Sequence, residues 1–144
     1  ISKQLNPNQQ LSSVQGSSGE VRTVLIRNKS GHYVGTALVN NSPVDFMLDT
    51  GATTVAIAAS AAEKLGMPFG AAIQVNTANG LTTAYRSRID QLQLGDIILT
   101  NIPASIVPGL DSGGGSTEIL LGMSALKQLE FHQQGNQLTL IQHN

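Results

Sequence analysis

The chain has 144 residues, of which 40% are hydrophobic and 12% are charged, and its formal net charge is −1. This size and composition are typical of one globular domain, and the sparse, balanced charge argues against a nucleic-acid partner, because phosphate binding requires clustered Lys and Arg. The sequence contains no cysteine, which excludes thiol catalysis, disulfides and thiolate metal sites. The three histidines lack metal-ligand spacing, so we predict no metal site.

The first part of the chain differs from the rest in composition. Residues 1–21 are rich in Gln, Asn, Ser and Gly and show no hydrophobic period, which predicts a flexible arm or tether. Periodic sequence begins at Arg22, so we predict a single domain over residues 22–144. No segment approaches the ~20 apolar residues of a membrane span. Because the sequence starts at Ile1 instead of Met, we expect that the true N-terminus lies upstream, which leaves room for a signal or membrane anchor before Ile1.

Short runs of alternating apolar and polar residues, separated by turn residues, predict β-strands along most of the domain. The predicted strands cover residues 22–27, 33–39, 44–48, 73–78, 81–85, 87–94, 97–107, 119–121 and 138–141. Helix-forming residues predict one helix over residues 57–65, although an Ala-rich run of this kind is also compatible with a buried strand. A shorter helix is predicted over residues 124–129, capped by Ser124. This pattern predicts an all-β fold, a closed barrel or sandwich with one or two short helices.

Two loops stand out between the predicted strands. Asn79-Gly80 is the strongest short hairpin signal, because both turn positions require positive φ. The segment 111–116 contains three consecutive glycines, but it lacks the Gly-Lys-Ser/Thr ending of a phosphate-binding loop, so we predict a mobile loop.

The motif Asp49-Thr50-Gly51 follows an apolar strand, Phe46-Met47-Leu48. As a bare tripeptide it is better explained by a simple Asx turn ending in glycine than by a catalytic site. Its context is more specific, because a second apolar element, Leu120-Leu121-Gly122, lies about seventy residues later and precedes a short helix.

Five landmarks in this order resemble the retropepsin-like aspartic proteases, and specifically a bacterial branch of them. They are Gly31-His32-Tyr33, Phe46-Met47-Leu48-Asp49-Thr50-Gly51-Ala52-Thr53, Ala62-Glu63-Lys64-Leu65-Gly66, Thr77-Ala78-Asn79-Gly80 and Leu121-Gly122-Met123-Ser124. The resemblance covers roughly residues 31–140. It implies a retropepsin-like fold and an aspartic endopeptidase that forms a homodimer, cleaves a peptide or protein substrate and needs no metal or organic cofactor.

The resemblance also implies roles for individual residues. Asp49 would be the catalytic aspartate, Thr50 the residue that braces the two active-site loops, and Gly51 a backbone N–H donor to the carboxylate. Leu121 and Gly122 would support this loop from beneath. The substrate-binding positions, most of them in a flap that closes over the peptide, would be Ala52, Thr77, Ala78, Asn79, Gly80 and Leu81. The implied location is a bacterial cell envelope, with membrane contact only through an upstream anchor.

Viral retropepsins usually carry Arg and then Asn or Asp after the second glycine, whereas Met123-Ser124 stand here. The dimer interface is therefore expected to differ, and the strand at 138–141 is the candidate for it. The remaining aspartates do not supply a second copy of the motif: Asp45, Asp90, Asp96 and Asp111. We therefore expect one Asp49 from each of two subunits to form the dyad.

Two other functions remain open at this point. A retropepsin fold that dimerises or binds extended peptides by β-addition without cleaving them would have the same motifs. A serine hydrolase using Ser124 is less favoured, because no Gly-x-Ser-x-Gly motif is present. For a protease, Ala56, Ile57, Ile106 and Val107 are candidate subsite residues that would suit apolar side chains.

Overall fold

The structure is a computed structural model that describes residues 7–77, 80–110 and 118–143. Its strands are β1 (Ser12–Gln15), β2 (Val21–Ile26), β3 (Val34–Val39), β4 (Ser42–Leu48), β5 (Val55–Ala58), β6 (Ala72–Thr77), β7 (Gly80–Leu94), β8 (Ile97–Val107), β9 (Ile119–Leu121), β10 (Glu130–Gln134) and β11 (Gln137–Gln142). The two helices within the described residues are α1 (Ala59–Lys64) and α2 (Met123–Leu126).

Six of these strands close into a barrel in the order β3-β4-β9-β5-β8-β7. Closure follows because β3 pairs with β4 along one edge and with β7 along the other. Alternate side chains of these strands fill the interior, where Phe46, Ile57 and Ile89 are fully buried. The predicted all-β closed barrel with two short helices is therefore confirmed, and β6 extends from it as a hairpin with β7.

A second sheet of four strands has the order β1-β2-β11-β10. β11 lies between β2 and β10, and Leu138, Leu140 and Ile141 are buried. Both edges of β11 are hydrogen-bonded within the chain, so this strand has no free edge for pairing with a second subunit, and the prediction that residues 138–141 build the dimer interface stays a prediction.

The predicted arm, residues 1–21, is packed onto the domain over its described part. β1 pairs antiparallel with β2, and the Asn8 side chain is buried. Asn8 Nδ2 donates to the carbonyls of Ile26 and Val34, both at 2.8 Å, and Asn8 Oδ1 accepts from Ile26 N–H at 2.8 Å. A segment of polar composition is held here by backbone pairing and one buried amide, so the ordered domain begins before Arg22.

Several predicted boundaries differ from the observed ones. The predicted helix over residues 57–65 begins as strand β5, which pairs parallel with β8 and becomes helical only at Ala59. The strands predicted at residues 81–85 and 87–94 are one continuous strand, β7. Gly80 pairs with Thr77, so Gly80 is the first residue of β7 and not a central turn residue, although its φ of 99° is positive as predicted. The glycine-rich segment 111–116 lies outside the described residues.

Within the described ranges, no helix has the length and hydropathy that crossing a bilayer would require.

Candidate active site

Asp49 lies at the carboxyl end of β4, where an apolar strand leaves the barrel. Its N–H donates to the carbonyl of Leu121 at 3.0 Å, and its own carbonyl accepts from Ala52 N–H at 3.2 Å. The first bond ties the loop to β9, and the second closes a tight turn through Thr50 and Gly51. The backbone of Asp49 is therefore fixed on both sides by structure that the barrel determines.

The carboxylate of Asp49 is oriented by this turn. Its Oδ1 accepts a hydrogen bond from Gly51 N–H at 3.0 Å, and the side chain is half-buried at the wall of a cleft. A carboxylate held by one N–H and open to a cleft has lone pairs left to bind a water molecule or a second acid. The arrangement is suited to polarising a water, the chemistry that hydrolysis requires.

Gly122 allows the Asp49 loop to pack closely against the start of α2. A Cβ at this position would lie 2.2 Å from the carbonyl oxygen of Thr54 and 2.7 Å from that of Ala52. The loop is also bonded here, since Met123 N–H donates to the Ala52 carbonyl at 2.8 Å. The close approach thus requires a residue without a side chain, and the predicted supporting pair, Leu121 and Gly122, lies directly against the Asp49 loop.

Ser124 has a different place from the one predicted. The N-cap of α2 is Gly122, without a side-chain cap, and Ser124 is buried inside the helix. Its hydroxyl donates to the carbonyl of Pro103 at 2.8 Å and accepts from Val55 N–H at 2.9 Å. Because both interactions are structural, Ser124 joins α2 to β5 and β8, and it is not placed to act as a serine nucleophile.

The cleft beside Asp49 has a volume of about 900 Å³. Its lining is drawn from the Asp49 loop, β5, the β6–β7 hairpin, the end of β8 with the residues after it, and β9. The lining residues are Asp49, Gly51, Ala52, Thr53, Thr54, Ala56, Gln74, Val75, Asn76, Leu81, Thr82, Ser105, Val107, Pro108, Gly109, Leu110 and Leu120. Its size suits a segment of extended peptide.

The predicted substrate-binding residues have different outcomes. Ala52 and Leu81 line the cleft, whereas Gly80 is exposed and does not. The backbone of Thr77 belongs to β6, while the Thr77 side chain and residues Ala78 and Asn79 lie outside the described part of the chain.

The predicted subsite residues divide by strand face. Ala56 and Val107 line the cleft, but Ile57 and Ile106 are fully buried in the barrel core, so their prediction as lining residues is wrong. Successive side chains of a strand point to opposite faces, and these isoleucines take the inner face. Several lining residues were missed, among them the polar Thr54, Gln74, Asn76 and Ser105. Strand alternation groups Ser105 with Val107 on one face of β8, but it does not tell which face lines the cleft.

Thr50 is exposed at the tip of the loop and does not line the Asp49 cleft. It borders a second cavity of about 410 Å³ instead, together with residues such as Tyr33, Phe131 and Gln133. The side chain predicted to brace two loops is therefore exposed on the surface of the chain.

The histidines lie on the surface, away from this cleft. His132 and His143 both contact the carboxylate of Glu130, the latter at 2.6 Å between Nε2 and Oε1. These hydrogen bonds lower the pKa of Glu130 below its ordinary value, with His143 having the largest effect. Among the described residues, no group of three or more His, Asp or Glu side chains is arranged to hold a metal.

Comparison with known proteins places the chain in a family. Residues 35–128 match the family model described as "gag-polyprotein putative aspartyl protease". An uncharacterized protein from the cobV 5′ region of Sinorhizobium sp is 32% identical over 123 residues, covering 83% of this chain and 51% of that protein. The uncharacterized protein RP867 of Rickettsia prowazekii (strain Madrid E) is 33% identical over 118 residues, 78% of this chain and 48% of its own length. The chain thus spans about half the length of these curated relatives.

Solved structures agree with this result. A retropepsin-like aspartic protease from Rickettsia conorii superposes with a TM-score of 0.70 at 28% identity, covering 92% of this chain and 96% of that one. The EIAV protease in complex with the inhibitor HBY-793 shares the fold, with a TM-score of 0.50 at 18% identity over 69% of this chain and 89% of that one.

The barrel and its Asp-Thr-Gly loop define a protein of the retropepsin-like aspartic protease class. With the family model matching residues 35–128, the chain belongs to the gag-type aspartyl protease family.

Proposed function

We propose that this chain is one subunit of a homodimeric aspartic endopeptidase, in which Asp49 of each subunit supplies half of the catalytic dyad. The observation that carries the proposal is the Asp49 carboxylate, held by Gly51 N–H at 3.0 Å and open to a cleft of about 900 Å³. Membership of the protease family and the fold shared with proteases support the same reaction.

A second copy is required because one chain offers one suitable carboxylate. Among the described residues that line the cleft, Asp49 is the single acidic side chain. Asp45, the aspartate nearest in sequence, accepts a hydrogen bond from the Thr36 hydroxyl at 2.9 Å on the outside of β4. A two-fold axis beside the exposed Thr50 would bring two Asp49 loops together through an isologous contact.

The reaction follows from two carboxylates in close contact. Two carboxylates a few Å apart repel each other, so the two Asp49 side chains would share one proton between them. The ionised Asp49 takes a proton from the water between them, and that water attacks the peptide carbonyl. The protonated partner donates a hydrogen bond to the developing oxyanion, and a proton is delivered to the leaving amine as the C–N bond breaks.

The β6–β7 hairpin would act as the flap over a bound peptide. It contributes Gln74, Val75, Asn76, Leu81 and Thr82 to the cleft. Leu81 is 74% exposed near its tip, an apolar side chain whose burial would favour closure on a peptide. The hairpin also offers backbone groups that pair with an extended substrate.

The test is cleavage of an unbiased peptide library from roughly pH 4 to 7, comparing wild type with Asp49→Asn. This exchange is nearly isosteric and removes the charge that the dyad shares. Asp90→Asn is the matched control, since Asp90 is an exposed aspartate of β7 outside the cleft. We expect cleavage by wild type and by Asp90→Asn, and loss of at least about a thousandfold in Asp49→Asn, as expected when the group that activates the nucleophile is removed.

Equal cleavage by wild type and Asp49→Asn would contradict the proposal, because another nucleophile or a contaminant would then be responsible. Peptide binding by a dimer without cleavage at any pH would instead support a peptide-binding module.

A further inference from the structure

The floor of the Asp49 cleft contains two hydroxyl groups in contact. Thr54 precedes β5 and Ser105 lies in β8, and their Oγ atoms are 3.0 Å apart. The parallel pairing of β5 with β8 places Ser105 opposite Ala56, so the two hydroxyls meet where the Asp49 loop enters the barrel. Both residues line the cleft.

The hydrogen-bonding capacity of this pair is not used up. A hydroxyl has one donor and two acceptor sites, so a contact between two hydroxyls uses one donor and one acceptor. Ser105 is 4% exposed and Thr54 is half-buried, and within the described residues neither side chain makes another hydrogen bond. Whichever hydroxyl donates to the other, the O–H of the accepting hydroxyl has no acceptor among the described residues.

A hydroxyl pair with unused hydrogen-bonding capacity favours a ligand that completes its hydrogen bonds. The neighbouring lining residues Ala56, Val107 and Leu120 are apolar and offer no competing polar group. The cleft contains no basic side chain among the described residues, and its single acidic group is Asp49. The best complement is therefore an uncharged side chain with a hydroxyl or amide group.

We infer that Thr54 and Ser105 form a polar subsite that selects Ser, Thr, Asn or Gln at one position of the bound peptide, where an apolar floor would select an aliphatic side chain. This inference rests on the proposed function, since it takes a peptide to be the ligand of the cleft. It also reverses the apolar preference predicted from the sequence, because Ile57 and Ile106 face the core and Ser105 faces the cleft.

The test uses pairs of peptides that differ by Thr or Val at one position, scanned along a short extended sequence. Thr and Val have nearly the same shape, so their difference in affinity reports the hydrogen bond alone. Binding is measured by calorimetry to the Asp49→Asn dimer, so that no catalysis is needed. We expect one position at which Thr binds about 2- to 10-fold more tightly than Val, the value of one buried neutral hydrogen bond.

Variants locate the effect on the proposed hydroxyls. In the Asp49→Asn background, Ser105→Ala and Thr54→Val are each expected to reduce the ratio of Thr-peptide to Val-peptide affinity at that position to about 1, or to invert it. Thermal unfolding checks that each variant is folded. Thr100→Val is the matched control, because Thr100 is exposed on β8 and does not line the cleft. It should leave the ratio unchanged.

The outcomes separate this inference from the proposed function. The subsite would be overturned if the protein with Thr54 and Ser105 intact bound Thr and Val peptides equally tightly at every peptide position. It would also be overturned if no peptide bound at all, whatever cleavage assays show. A Thr preference that persists in Ser105→Ala and in Thr54→Val would overturn it as well. A Thr preference that depends on both hydroxyls would support the subsite even if the wild-type protein cleaved no peptide.

Discussion

Replacing Gly122 by alanine places a methyl group between the start of α2 and the Asp49 loop. The backbone of Gly122 has φ −94° and ψ −170°, which any residue adopts, so the substitution causes no dihedral strain. The added Cβ would meet two backbone oxygens, 2.2 Å from Thr54 and 2.7 Å from Ala52. Backbone atoms cannot rotate away as a flexible side chain does, and the loop itself has to move.

The structure gives a magnitude for this change. Overpacking in a well-packed region costs about 1–3 kcal/mol, and two contacts with rigid backbone put Gly122→Ala near the upper value. For a chain of 144 residues, a loss of about 3 kcal/mol lowers Tm by about 10 °C. Since the displaced carbonyls belong to the loop that holds Asp49, we also expect cleavage per folded molecule to fall about tenfold or more.

Thermal unfolding and peptide cleavage, measured on the same samples, test both parts. Gly70→Ala is the matched control, because its Cβ would lie 2.7 Å from the backbone oxygen of Arg86, far along the chain from the Asp49 loop. It should lower Tm while leaving cleavage per folded molecule unchanged. The reasoning fails if Gly122→Ala unfolds at the wild-type temperature, or if both variants lose activity equally.

Two further predictions concern stability. Asn8→Ala leaves backbone groups of β2 and β3 without their buried partner and should cost about 1–3 kcal/mol in urea unfolding; unchanged stability would show that the N-terminal segment does not pack on the barrel in solution. His143 and His132 lower the pKa of Glu130 in the folded protein. The Glu130 carboxylate therefore stabilises the fold at pH values above its unfolded-state pKa of 4.5, and this stabilisation is lost as the pH falls through the folded-state pKa. Glu130→Gln should therefore lower Tm slightly at pH 6 and not at pH 3 when compared with the exposed control Glu63→Gln; an equal effect at both pH values would refute this link.

The sequence was sufficient to predict an element where the local residue pattern and the tertiary environment favour the same structure. Strand β9 was predicted at its observed bounds, because a short apolar run before Gly122 has one favourable place, the barrel interior. The loop at Asp49 was found for a similar reason, since an apolar strand ending in Asp-Thr-Gly demands a tight turn at the end of a buried strand.

Features that depend on pairing between distant segments could not be predicted in this way. β10 consists of exposed residues throughout, with no alternation, and it is a strand because β11 offers it an edge. The start of the Ala-rich run is strand because β8 lies parallel to it, although its composition favours helix. Residues 12–15 are likewise ordered by the neighbouring β2.

The residues that line the cleft could not be predicted, because the sequence does not show which face of each strand points to the core. Ile106 and Val107 are adjacent in β8, so a single register places one toward the core and the other toward the cleft while β8 remains regular. Choosing between the two faces requires the barrel closure, and with it the pairing of β3 with both β4 and β7. The polar character of the cleft floor depends on which face is inward, so it could not be predicted from the sequence.

The position of β11 between β2 and β10 has a consequence for how such an enzyme would be controlled. The four strands of the terminal sheet all come from one chain, so this sheet needs no strand from a second subunit. For the proposed homodimer, the active site still needs two chains, so the rate of cleavage would rise with the square of subunit concentration until the dimer is saturated. The local concentration of subunits would then control activity.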